Sequence, residues 1–386
     1  MIMTHLQIPT GARLLLAAAL LLVAVPPLPA PAQPNGSPPA VRLQRTLQFG
    51  GDFAEPNYSL ERPTSIAVSR GGDLYVLDAG ESSVKVYNGS GTFVRRFGRK
   101  GGGPGEFLWT TGLHVNSDVR VSDMAQRRIT IFSLQGQLLR TEPLPTPRER
   151  VMAEVVPLRH GWNVGVIAAQ VKVEGGGATR QEGMQKVLYA FTSTRMDTLF
   201  QYRDGSAAFH PRDAPLPAGI ADTHLGSGGA YAVLGDSIVA VADGYSGSVR
   251  WYRATPTGLV AYQARQLPSR SLPTTDADIR RIERRLRAEP GGSSLPRRLV
   301  FNAPPRNSIA SEALFADDGS LWIRNTPEAE SGHVWTVFDR EGNISIRLQM
   351  PRGFDLKYVQ GQNLYGFART SNDAALVQVY RMQRSR

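Results

Sequence analysis

The sequence predicts an all-β protein: a six-bladed β-propeller of four-stranded antiparallel blades carrying one short helical insertion. Three observations predict it. Glycine (39 residues) and proline (27 residues) are frequent, which favours tight turns between short strands over long helices. Three landmarks recur 45 residues apart: Asp78 with Asp123, Tyr87 with Phe132, and Gly91 with Gly136. Around each set runs one grammar of four strands, the second ending in Asp and the third followed by a Gly turn, and four strands in about 45 residues is the size of one propeller blade.

Each element follows from its local pattern. In the first repeat, which begins PTSIAVSRGGDLYVLDAGESS at Pro63, Ile66 and Val68 alternate with small residues. Leu74-Tyr75-Val76-Leu77 is instead a continuous apolar run, as expected of a strand buried on both faces. Val84 and Val86 flank Lys85, and Ile129 and Ile131 flank Thr130, so the third strands alternate. Ser90-Gly91 and Gln135-Gly136 supply residues that tolerate the positive φ of a hairpin turn.

The pattern returns more loosely downstream. Asp243 precedes Tyr252 by nine residues, the interval that also separates Asp78 from Tyr87. Residues 317–324 read as a turn and a strand, 334–339 with Gly342 as the matching strand and turn, and 363–367 with 375–381 as a final pair. Residues 164–168 and 187–191 fit two strands of a degenerate blade. Blades are therefore expected near 63–107, 108–150, 151–202, 220–265, 305–350 and 351–386, the last short by one strand. Residues 41–49 (VRLQRTLQF) form a strand with no blade of their own. Adding this strand to the last blade would close the ring and hide its edge. A seventh blade within 200–235 is the alternative.

One segment, within an insertion at 266–300, breaks the β pattern. Residues 272–289 (LPTTDADIRRIERRLRAE) read as a helix, with Thr275 and Asp278 as a capping pair and Pro290-Gly291-Gly292 as its end. Ile279, Ile282 and Leu286 form a narrow apolar stripe. Arg280, Arg281, Arg284, Arg285 and Arg287 cover the other faces, either solvated or as a docking surface for an anionic partner.

Composition bounds the chemistry. Lys and Arg (44) outnumber Asp and Glu (33), but the basic residues are spread along the chain rather than clustered, which reads as an arginine-rich soluble protein. The absence of cysteine excludes disulfides, thiolate catalysis, Cys-based zinc sites and iron–sulfur clusters. Residues 1–32 have the parts of a signal peptide: Arg13, an unbroken apolar run at 14–25, Pro26-Pro27, and the small residues Ala30 and Ala32. Cleavage after Ala32 would leave Gln33 first, followed by a disordered lead-in at 33–40; an uncleaved anchor is the alternative. The expected product is an exported monomer, periplasmic or secreted, with no stable membrane span after cleavage and no access to nucleic acid.

The grammar resembles the NHL-repeat propellers and the bacterial exported six-bladed propellers. The resemblance is strongest over 61–141, where RPTSIAV, DLYVLD, VKVYNGSGTFVRRFG and GGGPGEF stand in the family's order. It implies a ring whose ligand site lies at one mouth of the central channel. It also implies that Arg99 to Gly105, which lacks the G-x-x-x-x-G-K-[ST] of a phosphate cradle, is a glycine-rich crossover between blades.

Candidate ligand residues are His114, His160 and His224, from different blades, and Arg280, Arg281, Arg284 and Arg285 of the helix. A non-enzymatic module binding a protein, peptide or glycan without a cofactor is one expectation. A metal-dependent propeller enzyme, a lactonase-like hydrolase or a lyase using Ca or Zn in the funnel, is the alternative. Asp78, Asp123 and Asp243, recurring at strand ends, are expected to accept backbone N–H groups, with calcium ligation as the functional alternative. The five tryptophans are expected to pack between blades.

Overall fold

The alternating and doubly apolar segments fold as strands throughout. The computed structural model describes residues 41–386 except 52–53, 146–153, 176–177, 204–205, 212–218, 223–227, 289–298, 303–305, 327–332 and 385–386. The expected signal peptide and lead-in, at 1–40, lie outside the described residues.

Six four-stranded antiparallel sheets form the blades of a ring. Blade 1 consists of Pro63–Val68, Leu74–Asp78, Ser83–Tyr87 and Phe93–Phe97, and blade 2 of Thr110–Val115, Val119–Asp123, Arg128–Phe132 and Leu138–Pro143. Blade 3 is Glu154–Pro157, Asn163–Gly175, Ala178–Phe191 and Met196–Arg203, its middle strands running far longer than the short segments expected there. Blade 4 is Gly229–Leu234, Ile238–Asp243, Ser248–Thr255 and Gly258–Gln266, and blade 5 is Glu312–Phe315, Leu321–Asn325, Val334–Phe338 and Ile344–Gln349. Blade 6 takes Asp355–Gln360, Asn363–Arg369 and Ala375–Arg384 from the C-terminal part of the chain and Val41–Gly50 as its fourth strand.

The described residues form no seventh blade. Ser206–Pro211 pairs with Gly219–Asp222 on one side and Leu299–Asn302 on the other, a separate three-stranded sheet drawn from two insertions. Helix α1 (Asp276–Ala288) lies in the second of these insertions. Its start is capped as expected: Thr275 Oγ1 accepts from the Asp278 N–H at 3.3 Å, and the Asp278 carboxylate accepts from Thr275 N–H at 2.9 Å.

The core is a ring of interfaces. Six apolar clusters each join two neighbouring blades; the cluster of Ile66, Val68, Tyr87, Tyr365 and Val377 joins blade 6 to blade 1, and that of Leu77, Val84, Val121 and Phe132 joins blade 1 to blade 2. Burial on both faces explains the unbroken apolar run of the second strands, since every residue of Leu74–Asp78 is buried. The outermost strand Phe93–Phe97 instead alternates half-buried with exposed. The repeated aromatics Tyr87, Phe132 and Tyr252 each sit in the interface with the preceding blade. The turn glycines meet both their demands: Gly91 and Gly136 have φ of 82° and 86°, and a Cβ on Gly136 would lie 2.6 Å from the Phe97 ring.

The repeated aspartates hold the turns. Asp78 is fully buried and accepts from the N–H groups of Glu61 (2.8 Å), Arg62 (2.9 Å) and Gly80 (3.0 Å). Asp123 accepts from Leu108 (2.6 Å), Trp109 and Gln126, and Asp243 from Tyr245 (2.8 Å) and Ser246. In blades 1 and 2 the carboxylate thus ties the crossover entering a blade to the turn after its second strand. Asp78→Asn would turn an amide N–H₂ toward backbone donors. We expect a loss of about 2–4 kcal/mol in chemical denaturation; a loss under about 1 kcal/mol would contradict this role.

Candidate functional site

The strands of each blade alternate in direction, so the ring has two ends. The crossovers between blades and the aspartate-held turns lie at one; the turns after each first strand lie at the other. At the crossover end of the interface between blades 5 and 6 the repeat pattern is broken. The position of Asp78, Asp123 and Asp243 is taken by Asn325, which donates to the Ile309 carbonyl (3.3 Å) and accepts from Thr336 Oγ1 (2.7 Å). The residue before it, Leu77, Ser122 or Ala242 in blades 1, 2 and 4, is Arg324. A guanidinium therefore enters a position that is otherwise small or apolar.

Arg324 gathers a polar cluster around itself. Its Nη1 lies 2.7 Å from Glu312 Oε1 and 3.8 Å from Asp355 Oδ1, and its Nη2 lies 2.6 Å from His333 Nε2. Lys357 Nζ pairs with the other Asp355 oxygen at 2.9 Å. Glu312 and Asp355 open the first strands of their blades, and these first strands neighbour one another around the ring. An arginine has no acceptor, so His333 Nε2 accepts and its Nδ1 carries the proton. Burial, then the Arg324 charge, holds the His333 imidazole below its ordinary value, with Asp355 opposing. Four buried polar atoms here have no hydrogen-bond partner among the described residues: Arg324 Nε, His333 Nδ1, Thr326 Oγ1 and Asp355 Oδ1. The carboxylates of Glu312 and Asp355 remain partly exposed, so the cluster presents charged groups to solvent beside its buried ones.

The residues singled out from the sequence are not brought together. His114 lies in the first strand of blade 2, opposite Arg120; the residue is exposed, although protein packs around its ring. That surrounding, then the Arg120 charge, keeps it below its ordinary value. His160 is exposed in the turn after the first strand of blade 3, with φ of 58°. His224 lies outside the described residues, as does the side chain of Arg285. Among the described residues no three His, Asp or Glu side chains converge as ligands of a metal would. On helix α1, Arg280, Arg281 and Arg284 are exposed; Arg281 pairs with Asp278, and Arg287 with Glu283 at 2.6 Å, so the helix neutralises part of its own charge.

Two further features were hidden in the sequence. Four tryptophans pack as expected, Trp162, Trp251, Trp322 and Trp335 being at most 4% exposed, but Trp109 is 60% exposed beside Leu108 at 51%. Both backbones are pinned by Asp123, so this apolar pair is held rigidly at the crossover end. The glycine-rich stretch at 99–105 is a crossover closed by Glu106, which accepts from Gly103 N–H (2.7 Å) and pairs with Arg99 (2.8 Å); those two contacts, the backbone one first, hold its carboxyl below the usual range.

Both described histidines with depressed values favour the neutral imidazole in the fold. As pH falls, the unfolded chain takes up these protons first, so their contribution is present above about pH 6.5 and is lost below it. Thermal unfolding of His333→Gln should therefore fall less steeply between about pH 6.5 and 5 than that of the parent. An unchanged slope would contradict the assigned tautomer and burial.

Residues 57–158 match a family model described as a 6-bladed beta-propeller. No curated protein sequence matches the chain. Among solved structures, the chain is similar to a protein described as exported from Bacteroides fragilis NCTC 9343 (13% identity, covering 89% of this chain and 95% of that one, TM-score 0.49). It is also similar to virginiamycin B lyase from Staphylococcus aureus (12% identity, 90% of each chain, TM-score 0.36). A calcium-binding regucalcin from Agrobacterium tumefaciens is a third such structure (9% identity, 86% of this chain and 93% of that one, TM-score 0.42). At these identities and scores the likenesses carry no inference about activity. The chain is a six-bladed β-propeller.

Proposed function

We propose that the protein is an exported binding propeller of the NHL-like kind, engaging a peptide, protein or glycan at the crossover end of the interface between blades 5 and 6. The observation that supports it is the Arg324 cluster, which sets a guanidinium beside the partly exposed Glu312, Asp355 and Lys357. Arg324 and Lys357 can donate to a carbonyl, and the partly exposed carboxylates of Glu312 and Asp355 can accept from an N–H, which is the complement of an amide group. Peptides and N-acetylated sugars both carry that group. The rigid Leu108-Trp109 pair at the same end of the ring offers apolar surface for the rest of a macromolecular ligand.

Calorimetric titration with capped tripeptides and with N-acetylglucosamine oligomers tests the site. Saturable binding of one class, weakened at least about tenfold in Arg324→Gln, is expected, since the substitution removes a charge-assisted donor. Binding that survives Arg324→Gln, or no binding by either class, would overturn the reading. Export is tested separately by the intact mass of the protein recovered outside the cytoplasm, expected to begin at Gln33. A chain beginning before residue 20 would contradict cleavage.

A further inference from the structure

At the other end of the ring, the turns after the first strands of blades 5, 6 and 1 surround an open cavity of about 680 Å³. Arg70 reaches it from blade 1, Asp317 from blade 5, and Gln360, Gln362, Asn363 and Arg381 from blade 6. Both guanidiniums are exposed, and neither makes an ion pair or side-chain hydrogen bond among the described residues. The one carboxylate in the wall is partly occupied, Asp317 Oδ1 accepting from the Gly361 N–H at 2.8 Å, and that bond ties blade 5 to the blade 6 turn. The wall is therefore net cationic and held by backbone contacts rather than by its own charge pairs.

We infer that this cavity is a second ligand site, separate from the Arg324 cluster, and that it takes an acidic saccharide bearing carboxylates and hydroxyls. Two planar guanidiniums without counter-ions match carboxylate geometry through paired N–H donors. The amide side chains of Gln360 and Gln362 each offer both donors and an acceptor, which suits hydroxyl groups and is superfluous for a bare anion. The volume lies in the range of small-molecule pockets and exceeds what one inorganic ion needs. The site faces away from the Arg324 cluster, so either can fail without the other.

Titration calorimetry with trigalacturonate tests the inference, beside galactobiose as the neutral saccharide and sulfate as the bare anion. The expected result is saturable trigalacturonate binding, weakened about tenfold or more in Arg70→Gln and in Arg381→Gln, with galactobiose and sulfate each at least about tenfold weaker. Both arginines are exposed, so the variants should melt with the parent, and a matching thermal transition establishes that lost binding is local. Sulfate binding as tightly as trigalacturonate would reduce the cavity to an anion site and overturn the saccharide class. Absence of saturation up to about 10 mM, or binding indifferent to both substitutions, would overturn the site itself.

Discussion

The structure depends on one strand pairing. Val41–Gly50 runs antiparallel to Ala375–Arg384, joining residues more than three hundred positions apart and supplying the outermost strand of blade 6. Without it, blade 6 would have three strands, and nothing would tie the start of the ring to its last blade. The same strand also covers blade 1, because Phe49 packs on Tyr87 with ring centroids 4.3 Å apart and Leu47 joins the interface cluster of blades 6 and 1. Ring closure and the packing of the first interface are thus one event. Every other interface in the ring then has a partner on each side.

Within the closed ring, the repeated and the unrepeated residues divide the work. Asp78 and Asp123 spend their acceptor capacity on crossover and turn N–H groups, leaving none to spare for a ligand. Lys85 shows the same economy: it is fully buried, yet its ammonium meets the carbonyls of Pro56 (3.0 Å) and Ser59 (2.5 Å) and the carboxylate of Glu81 (2.7 Å). The Arg324 cluster differs in kind, because its groups are partly paired and partly open. A protein tolerates such incomplete pairing where something else completes it. Blade 5 carries this cluster where its sequence leaves the repeat, with Asn325 in place of the aspartate.

Much of the ring was legible in the sequence because its landmarks are local. The Asp, aromatic and Gly of blades 1 and 2 fall within a dozen or so residues, and their roles follow from turn chemistry and two-sided burial. The orphan strand at 41–49 could be assigned to the last blade by the need to hide an edge. Blade 3 was harder to read, since its long middle hairpin replaces the short alternating strands that mark the other blades. The segment at 200–235 gave the wrong alternative because its strand at Ser206–Pro211 pairs with residues ninety positions away, in the insertion that carries the helix. The candidate sites were largely illegible for the same reason. Arg324, His333 and Asp355, or Arg70 and Arg381, meet only once the ring is closed. The signal that could have exposed the first group was a charged residue at a repeat position that elsewhere holds Leu77, Ser122 or Ala242. Histidines were the wrong guide, since chemical versatility says nothing about where a side chain ends up.

The absence of native cysteine makes closure directly measurable. Leu43 and Met382 are cross-strand partners in the closing pair, and both pack against the interface between blades 5 and 6. Facing residues of an antiparallel pair lie within disulfide reach, whereas a three-residue offset adds about 10 Å. Oxidation of a Leu43→Cys/Met382→Cys variant should give a monomeric cross-link with a raised melting temperature, and a Leu43→Cys/Val379→Cys control should give none. A cross-link that fails in the first variant, or forms equally in the control, would contradict a ring closed by its N-terminal strand.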